Sequence, residues 1–244
     1  MGKTTVAAVL ARLFAEDGRK VLAVDVDPDA NLGLAVGFTE DELGMLTPIS
    51  ELKDLIEERT GSGKDNFGKF FKLNPKVDDI PDRYSIEKNG IKLLIMGTVE
   101  TGGGGCVCPE NVLLRRVISN LIISRDEVII LDMEAGLEHL GRGTVDFVDS
   151  FIVVIEPGSR SIQTYKKVKE LAGDIGIKKI NVVANKVRSE EDKDFLRRFI
   201  PNDELTGFIS YSEELIDSDR QGSSPFDAGG PAIDEIRKIQ KLLV

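Results

Sequence analysis

The chain has no tryptophan, three tyrosines, one histidine and only two cysteines in 244 residues. So few thiols exclude a disulfide-stapled scaffold, and paired thiols in a reducing compartment serve more often as ligands or redox groups. Long apolar runs are also missing. The longest are strand-length, such as FIVVI at Phe151 to Ile155, far short of the roughly 18 residues that a membrane-spanning helix needs. The charged-then-apolar pattern of a secretory leader is not seen at the start, so a cytoplasmic protein is expected. Basic excess is absent too. Asp and Glu outnumber Lys and Arg by 42 to 32, for a net charge of −10. An acidic chain without a Lys/Arg stripe is a poor nucleic-acid binder, and none is expected as a partner.

What is present is an alternation. Strand-like apolar runs occur at Val21 to Asp25, Ile91 to Met96, Glu127 to Asp132, Phe151 to Ile155, Ile180 to Asn185 and Leu205 to Ile209. Helix-period segments separate them at Thr4 to Glu16, Asn111 to Ser124, Ser161 to Gly176 and Glu190 to Ile200. Near-continuous apolar strands fit a sheet buried on both faces. The expected fold is α/β: a doubly wound, mostly parallel sheet with helices on both faces. One domain spans 1–244, with a polar excursion at about 61–90 that is rich in Gly, Asn, Asp and Pro.

The chain opens MGKTT. In a phosphate-binding loop, backbone N–H groups cradle the β-phosphate, Lys reaches the β- and γ-oxygens, and the following Ser/Thr holds Mg²⁺. Gly2, Lys3 and Thr4 fit those places, and Thr5 reaches toward the α-phosphate. EVIILD ends a buried run in Asp132, the position that supports Mg²⁺ beside Thr4. VLAVDVDPD puts Asp25 and Asp27 at the carboxyl end of another strand, where a parallel sheet lines its ligand crevice. Asp27-Pro28 alone is equally a turn starter. Asn185 and Lys186 follow a further buried strand. An Asn carboxamide can read an adenine edge, or it can satisfy a loop backbone.

GKTT, DVDPDANLG, ILDMEAGLEH and NKV, in this order, resemble the deviant-Walker ATPases, which include MinD, ParA and the nitrogenase iron protein and belong to the SIMIBI class of P-loop NTPases. The resemblance covers nearly the whole chain. It implies an ATPase using ATP/ADP and Mg²⁺, working as a homodimer with nucleotide at the interface. It implies that Asp27 aligns the attacking water with Asp25 beside it, that Asp132 stands on the Mg²⁺ side, and that Glu134 to Gly136 begin a nucleotide-sensing switch. The family loop reads GKGGxGKTT after a central first strand. Met1 therefore resembles the x of that loop, and a native chain extended upstream by a strand and a glycine-rich turn is expected. As written, with the first strand truncated, the loop is expected to bind nucleotide poorly and to hydrolyse it hardly at all.

GGGGCVCPEN places Cys106 and Cys108 just before a helix that Pro109 begins. Thiols at a helix N-terminus lean toward thiolate, the metal-binding form. Two thiols cannot close a four-sulfur site, but two chains around a twofold axis can, for Zn²⁺, Ni²⁺ or an Fe–S cluster. A dithiol without metal is the plainer alternative. Within the family, CVC after a glycine run with DMEAGLEHLGRGT downstream resembles the CooC-type nickel-insertion ATPases. That likeness implies Ni²⁺ or Zn²⁺ held between subunits by Cys106 and Cys108, and carbon monoxide dehydrogenase or acetyl-CoA synthase as client. A MinD/ParA-type positioning ATPase and an Mrp-like Fe–S scaffold are the alternatives. Related chains often carry Pro where this one has Ser210, in a loop that frames adenine. His139 is expected to pack or cap rather than bind metal. Glu190 to Asp194 reads as a solvated helix start. The last segment, with Ile236, Ile239, Leu242 and Leu243 on one face, reads as a docking helix, with no stable membrane association.

Overall fold

The computed structural model describes residues 2–27, 29–62, 71–97, 108–124, 127–134, 147–177 and 179–243. Their strands are β1 (Val21–Asp25), β2 (Ile86–Lys88), β3 (Ile91–Ile95), β4 (Val128–Asp132), β5 (Phe151–Ile155), β6 (Ile180–Val187) and β7 (Leu205–Ser210). Their helices are α1 (Lys3–Glu16), α2 (Leu32–Val36), α3 (Glu40–Leu43), α4 (Lys53–Thr60), α5 (Ile80–Tyr84), α6 (Pro109–Ser124), α7 (Ser159–Ile175), α8 (Glu190–Arg197), α9 (Glu213–Arg220), α10 (Pro225–Ala228) and α11 (Pro231–Leu243). None of the helices described is long and apolar enough to cross a membrane. Each strand expected from the apolar runs is present, and β6 runs two residues further than its apolar run suggests.

Hydrogen bonding divides the strands into two ladders, β2-β3-β1-β4 and β5-β6-β7. Every pairing is parallel except β2 with β3. The expected sheet is thus mostly parallel, but its ladder is in two pieces. Alternate residues show how the pieces lie. Leu22, Val24, Leu94, Val153, Ile155, Val182 and Ala184 enter one core with α6 and α7. Val21, Ala23, Leu93, Val154, Val183 and Ile209 enter another with α1 and α11. Successive strand side chains point to opposite faces, so both ladders contribute to both cores and form one layer between two helical layers. Between the edge strands β4 and β5 lies a slot of about 590 Å³. Consecutive residues of both strands, Val128 to Asp132 and Phe151 to Val154, line it, together with Val6, Ala7 and Leu10 of α1.

Local signals explain the ends of the elements. Asp17 and Gly18, the latter with φ +77°, close α1. Gly176 closes α7 at φ +101°. Ser189 caps α8, whose first turn holds Glu190, Glu191 and Asp192. Acidic residues there complement the helix dipole, which gives the acidic run a structural reason. The polar excursion carries two short elements that the sequence reading did not foresee, α5 and β2. A bidentate pair ties it down: Arg59 Nη1 and Nη2 donate to Asp79 Oδ1 and Oδ2 at 2.9 and 2.7 Å. The terminal helix docks as expected, burying Ile233, Ile236 and Ile239 against α1 and β7. Leu242 departs from the expectation: it is 63% exposed, because the last turn runs past the core.

Candidate nucleotide site

β1 and β4 pair in register, Asp25 opposite Asp132, so two carboxylates leave adjacent strands at the same level. The backbone N–H of Val26 extends the ladder by donating to the Asp132 carbonyl at 2.9 Å. α1 brings its first turn to this edge. Gly2 sits at φ 82°, ψ 28°, a left-handed conformation natural to glycine, and neither a side-chain cap nor an acidic residue occupies that turn. The uncapped N–H groups of a 14-residue helix favour an anion there.

Around this point stand Lys3, Thr4, Asp25, Asp27 and Asp132. Lys3 Nζ lies 4.0 Å from Asp27 Oδ2. Asp27 Oδ1 accepts from the Asp29 N–H at 3.1 Å. Asp132 is buried, and burial raises its pKa above the ordinary carboxylate range; a hydrogen bond from Thr4 and the charge of Lys3 pull it down, while Asp27 pushes it up. Asp25, fully buried, is pushed up to about 6 by burial. The N–H groups of Leu32 and Asp27 oppose that rise, and the charges of Asp132 and Asp27 add to it. Such a cluster costs free energy as it stands, and a divalent cation would relieve it.

The donors present fit Mg²⁺. They are hard oxygens, the Thr4 hydroxyl is bonded to Asp132, and Oδ2 of Asp132 is buried with no hydrogen-bond partner. Thr4 and Asp132 are the residues that would hold it.

Asn185 and Lys186 stand at the end of β6. Asn185 is 6% exposed, and its Oδ1 accepts from the Lys186 N–H at 2.9 Å. Its carboxamide packs on Gly2, leaving no room for a Cβ there. Lys186 adopts φ +57° and places Nζ 2.9 Å from Glu156 Oε1, which holds the Glu156 carboxyl below its ordinary range. Ser210 donates its N–H and hydroxyl to Glu235 of α11 at 2.6 and 2.8 Å. A proline here would have no N–H for that carboxylate, which accounts for serine at this position.

The sequence reading therefore placed Gly2, Lys3, Thr4, Asp25, Asp27, Asp132 and Asn185 in one neighbourhood of α1, β1, β4 and β6. It missed the Glu156–Lys186 pair and the role of Glu235, because no local pattern links residues that far apart. Thr5 stands in the first turn of α1. Cys108 is half-buried, and its carbonyl accepts from the Val112 N–H at 3.0 Å at the entry to α6. Cys106, residues 135–136 and His139 lie outside the described residues, so neither the paired-thiol site nor most of the switch segment is described. Among the described residues no group of three or more His, Cys, Asp or Glu is placed to hold a metal ion.

Parallel strands whose carboxyl ends meet the N-terminus of a helix, with a lysine and a Thr–Asp pair there, define a P-loop nucleotide-binding protein. Residues 1–226 match the CobQ/CobB/MinD/ParA nucleotide binding domain, and the chain belongs to that family of ATPases. It is 48% identical over 247 residues to an ATP-binding protein of Methanocaldococcus jannaschii, covering 100% of this chain and 94% of the relative. It is 42% identical over 244 residues to the carbon monoxide dehydrogenase accessory protein CooC of Rhodospirillum rubrum, covering 100% and 92%. Among solved structures, MinD in the MinC:MinD complex of Aquifex aeolicus matches with a TM-score of 0.69 at 19% identity, over 99% of this chain and 90% of that one. MinD with Mg-ADP from Pyrococcus horikoshii matches at 0.64, also at 19% identity and with the same coverage. These two share the fold.

Proposed function

We propose that this chain is an ATP-dependent maturation factor that delivers nickel to carbon monoxide dehydrogenase or acetyl-CoA synthase, working in the cytoplasm as a homodimer. The observation that carries the reading is the 42% identity to an accessory protein of carbon monoxide dehydrogenase along the entire chain, joined to the CVC tripeptide at the start of α6. Cys106 and Cys108 from two copies would supply four thiolates to one Ni²⁺ or Zn²⁺. The ion is cargo, picked up and passed on.

The phosphate end would drive this cycle. Lys3 and the N–H groups of the first turn of α1 hold the phosphate oxygens, and Asn185 with Lys186 borders the nucleotide. Thr4 and Asp132 would hold Mg²⁺, which would supply neutralisation of phosphate charge. Asp27 accepts a hydrogen bond from the attacking water and aligns it. Chemistry of this kind needs positioning and charge stabilisation more than covalent participation. Asp132 and Glu134 begin the segment that would report the γ-phosphate to α6, and the two nucleotide states would favour two dimer arrangements with different metal affinity.

Nickel titration with and without ATP, alongside sedimentation, tests this. The parent, extended upstream through a complete phosphate loop, is expected to retain nickel and to dimerise with ATP, and the Cys106→Ser, Cys108→Ser double variant of the same extended chain to retain none. Equal nickel uptake by parent and double variant overturns the reading. An absorbing Fe–S chromophore after anaerobic reconstitution, with no nickel retained, favours a cluster scaffold instead.

A further inference from the structure

Asp25 stands at the carboxyl end of β1 with both carboxylate oxygens already engaged. Oδ1 accepts from the Asp27 N–H at 3.1 Å and Oδ2 from the Leu32 N–H at 2.9 Å. The first donor lies just beyond β1, and the second is the first residue of α2. Asn31, at the N-cap position of α2, makes no side-chain cap; its Nδ2 donates to the Asp29 carbonyl at 3.0 Å. The orphan N–H of α2 is thus satisfied from seven residues upstream. The Asp25 backbone is itself fixed, because its carbonyl accepts from Met96 N–H at 2.9 Å where β3 ends. With 0% of its surface exposed, Asp25 is closed off from solvent.

We infer that Asp25 is a positioning residue rather than a catalytic one: by gripping the amides of Asp27 and Leu32 it closes the connection between β1 and α2 into a ring, and this ring sets where Asp27 stands relative to Lys3. The inference rests on the reading that Asp27 serves ATP hydrolysis. Three further observations fit it. Burying a carboxylate is costly unless hydrogen bonds compensate, and here each oxygen is met by a backbone N–H from one end of the connection. Asp27 is held within the ring, through its own bond to Asp29, at the 4.0 Å separation from Lys3. Leu32 itself is fully buried, so the far end of the ring is anchored in the core.

Residue-resolved hydrogen exchange on the whole chain, without nucleotide, tests the ring. In the parent, the Leu32 amide is expected to exchange at least about tenfold more slowly than that of Ala30. Asp25→Asn has one acceptor where Asp25 has two. It is expected to speed exchange at Leu32 or Asp27 by about tenfold, leaving Leu22 to Val24 of β1 unchanged. In the chain extended upstream through a complete phosphate loop, Asp25→Asn is expected to lower kcat by at least about tenfold while KM for ATP moves less than about threefold. Parent protection at Leu32 no greater than at Ala30 overturns the ring, even if the variant fails to fold. A fall in kcat with unaltered exchange overturns the positioning role and favours direct contact with substrate. Altered exchange with unaltered kcat also overturns it. If the extended parent turns over no ATP, the hydrolytic reading of Asp27 is removed, and the exchange data still decide the ring.

Discussion

Asp79 carries the two guanidinium contacts that fasten the polar excursion to α4. The hydrogen bonds from Arg59 hold its carboxyl down to about 2, against an ordinary 3.8. A carboxylate held low in the folded state binds fewer protons there than when unfolded, between those two values. Its stabilisation is therefore complete above about pH 4 and is lost as pH falls through 2. The pair is partly solvated, with Asp79 33% exposed, so screening reduces its worth to about 1 kcal/mol. Asp79→Asn is expected to lower the unfolding free energy by that amount at pH 7 and to remove this part of the acid limb; urea titrations from pH 2 to pH 7 measure both. Residues such as Lys3, Thr4, Asp27 and Asp132 were legible because each follows or opens an element with a strong pattern. The second role of Asp25 was not, because its partner Leu32 lies seven residues on, and only the folded turn brings that N–H back.

Among the elements, α11 separates apolar pattern from apolar burial. Its helical period is plain in the sequence, and Ile236 and Ile239 are buried as that period demands. Leu242 shares the stripe yet is 63% exposed. Ile236→Ala is expected to cost about 2–4 kcal/mol, through lost transfer energy and an incompletely collapsed cavity. Leu242→Ala is expected to change stability by less than about 0.5 kcal/mol. Chemical denaturation of the two variants checks the contrast, and a large loss at Leu242 would mean that the last turn packs against something. The long parallel strands were readable from their apolar runs. β2 was not, because its three residues, Ile86 to Lys88, alternate with polar groups inside a Gly- and Pro-rich stretch. α2 was also missed: five residues after an Asp-Pro turn carry too little period to read.

At the scale of the whole molecule, the layer is divided. Among the described residues β4 and β5 are edge strands, yet their sequences read like interior strands, since both faces of each are apolar. That is why the break was invisible before the structure. The slot between them is lined by hydrophobic side chains from both cores, and unpaired ladder edges attract other strands. A chain of these 244 residues is expected to bind the dye anilinonaphthalenesulfonate and to self-associate as concentration rises, and one extended upstream by a strand to do so less. Ala7→Phe, which fills the slot from α1, is expected to weaken dye binding. Unchanged fluorescence in that variant would locate the dye elsewhere. The helix that carries Lys3 has a special place in this arrangement. α1 packs on β1, β3 and β4 of one ladder and on β5 of the other, and it also touches α2, α10 and α11. It is therefore the axle on which both halves ride. A ligand bound at its first turn would thus sit on a described helix that rests on strands of both ladders.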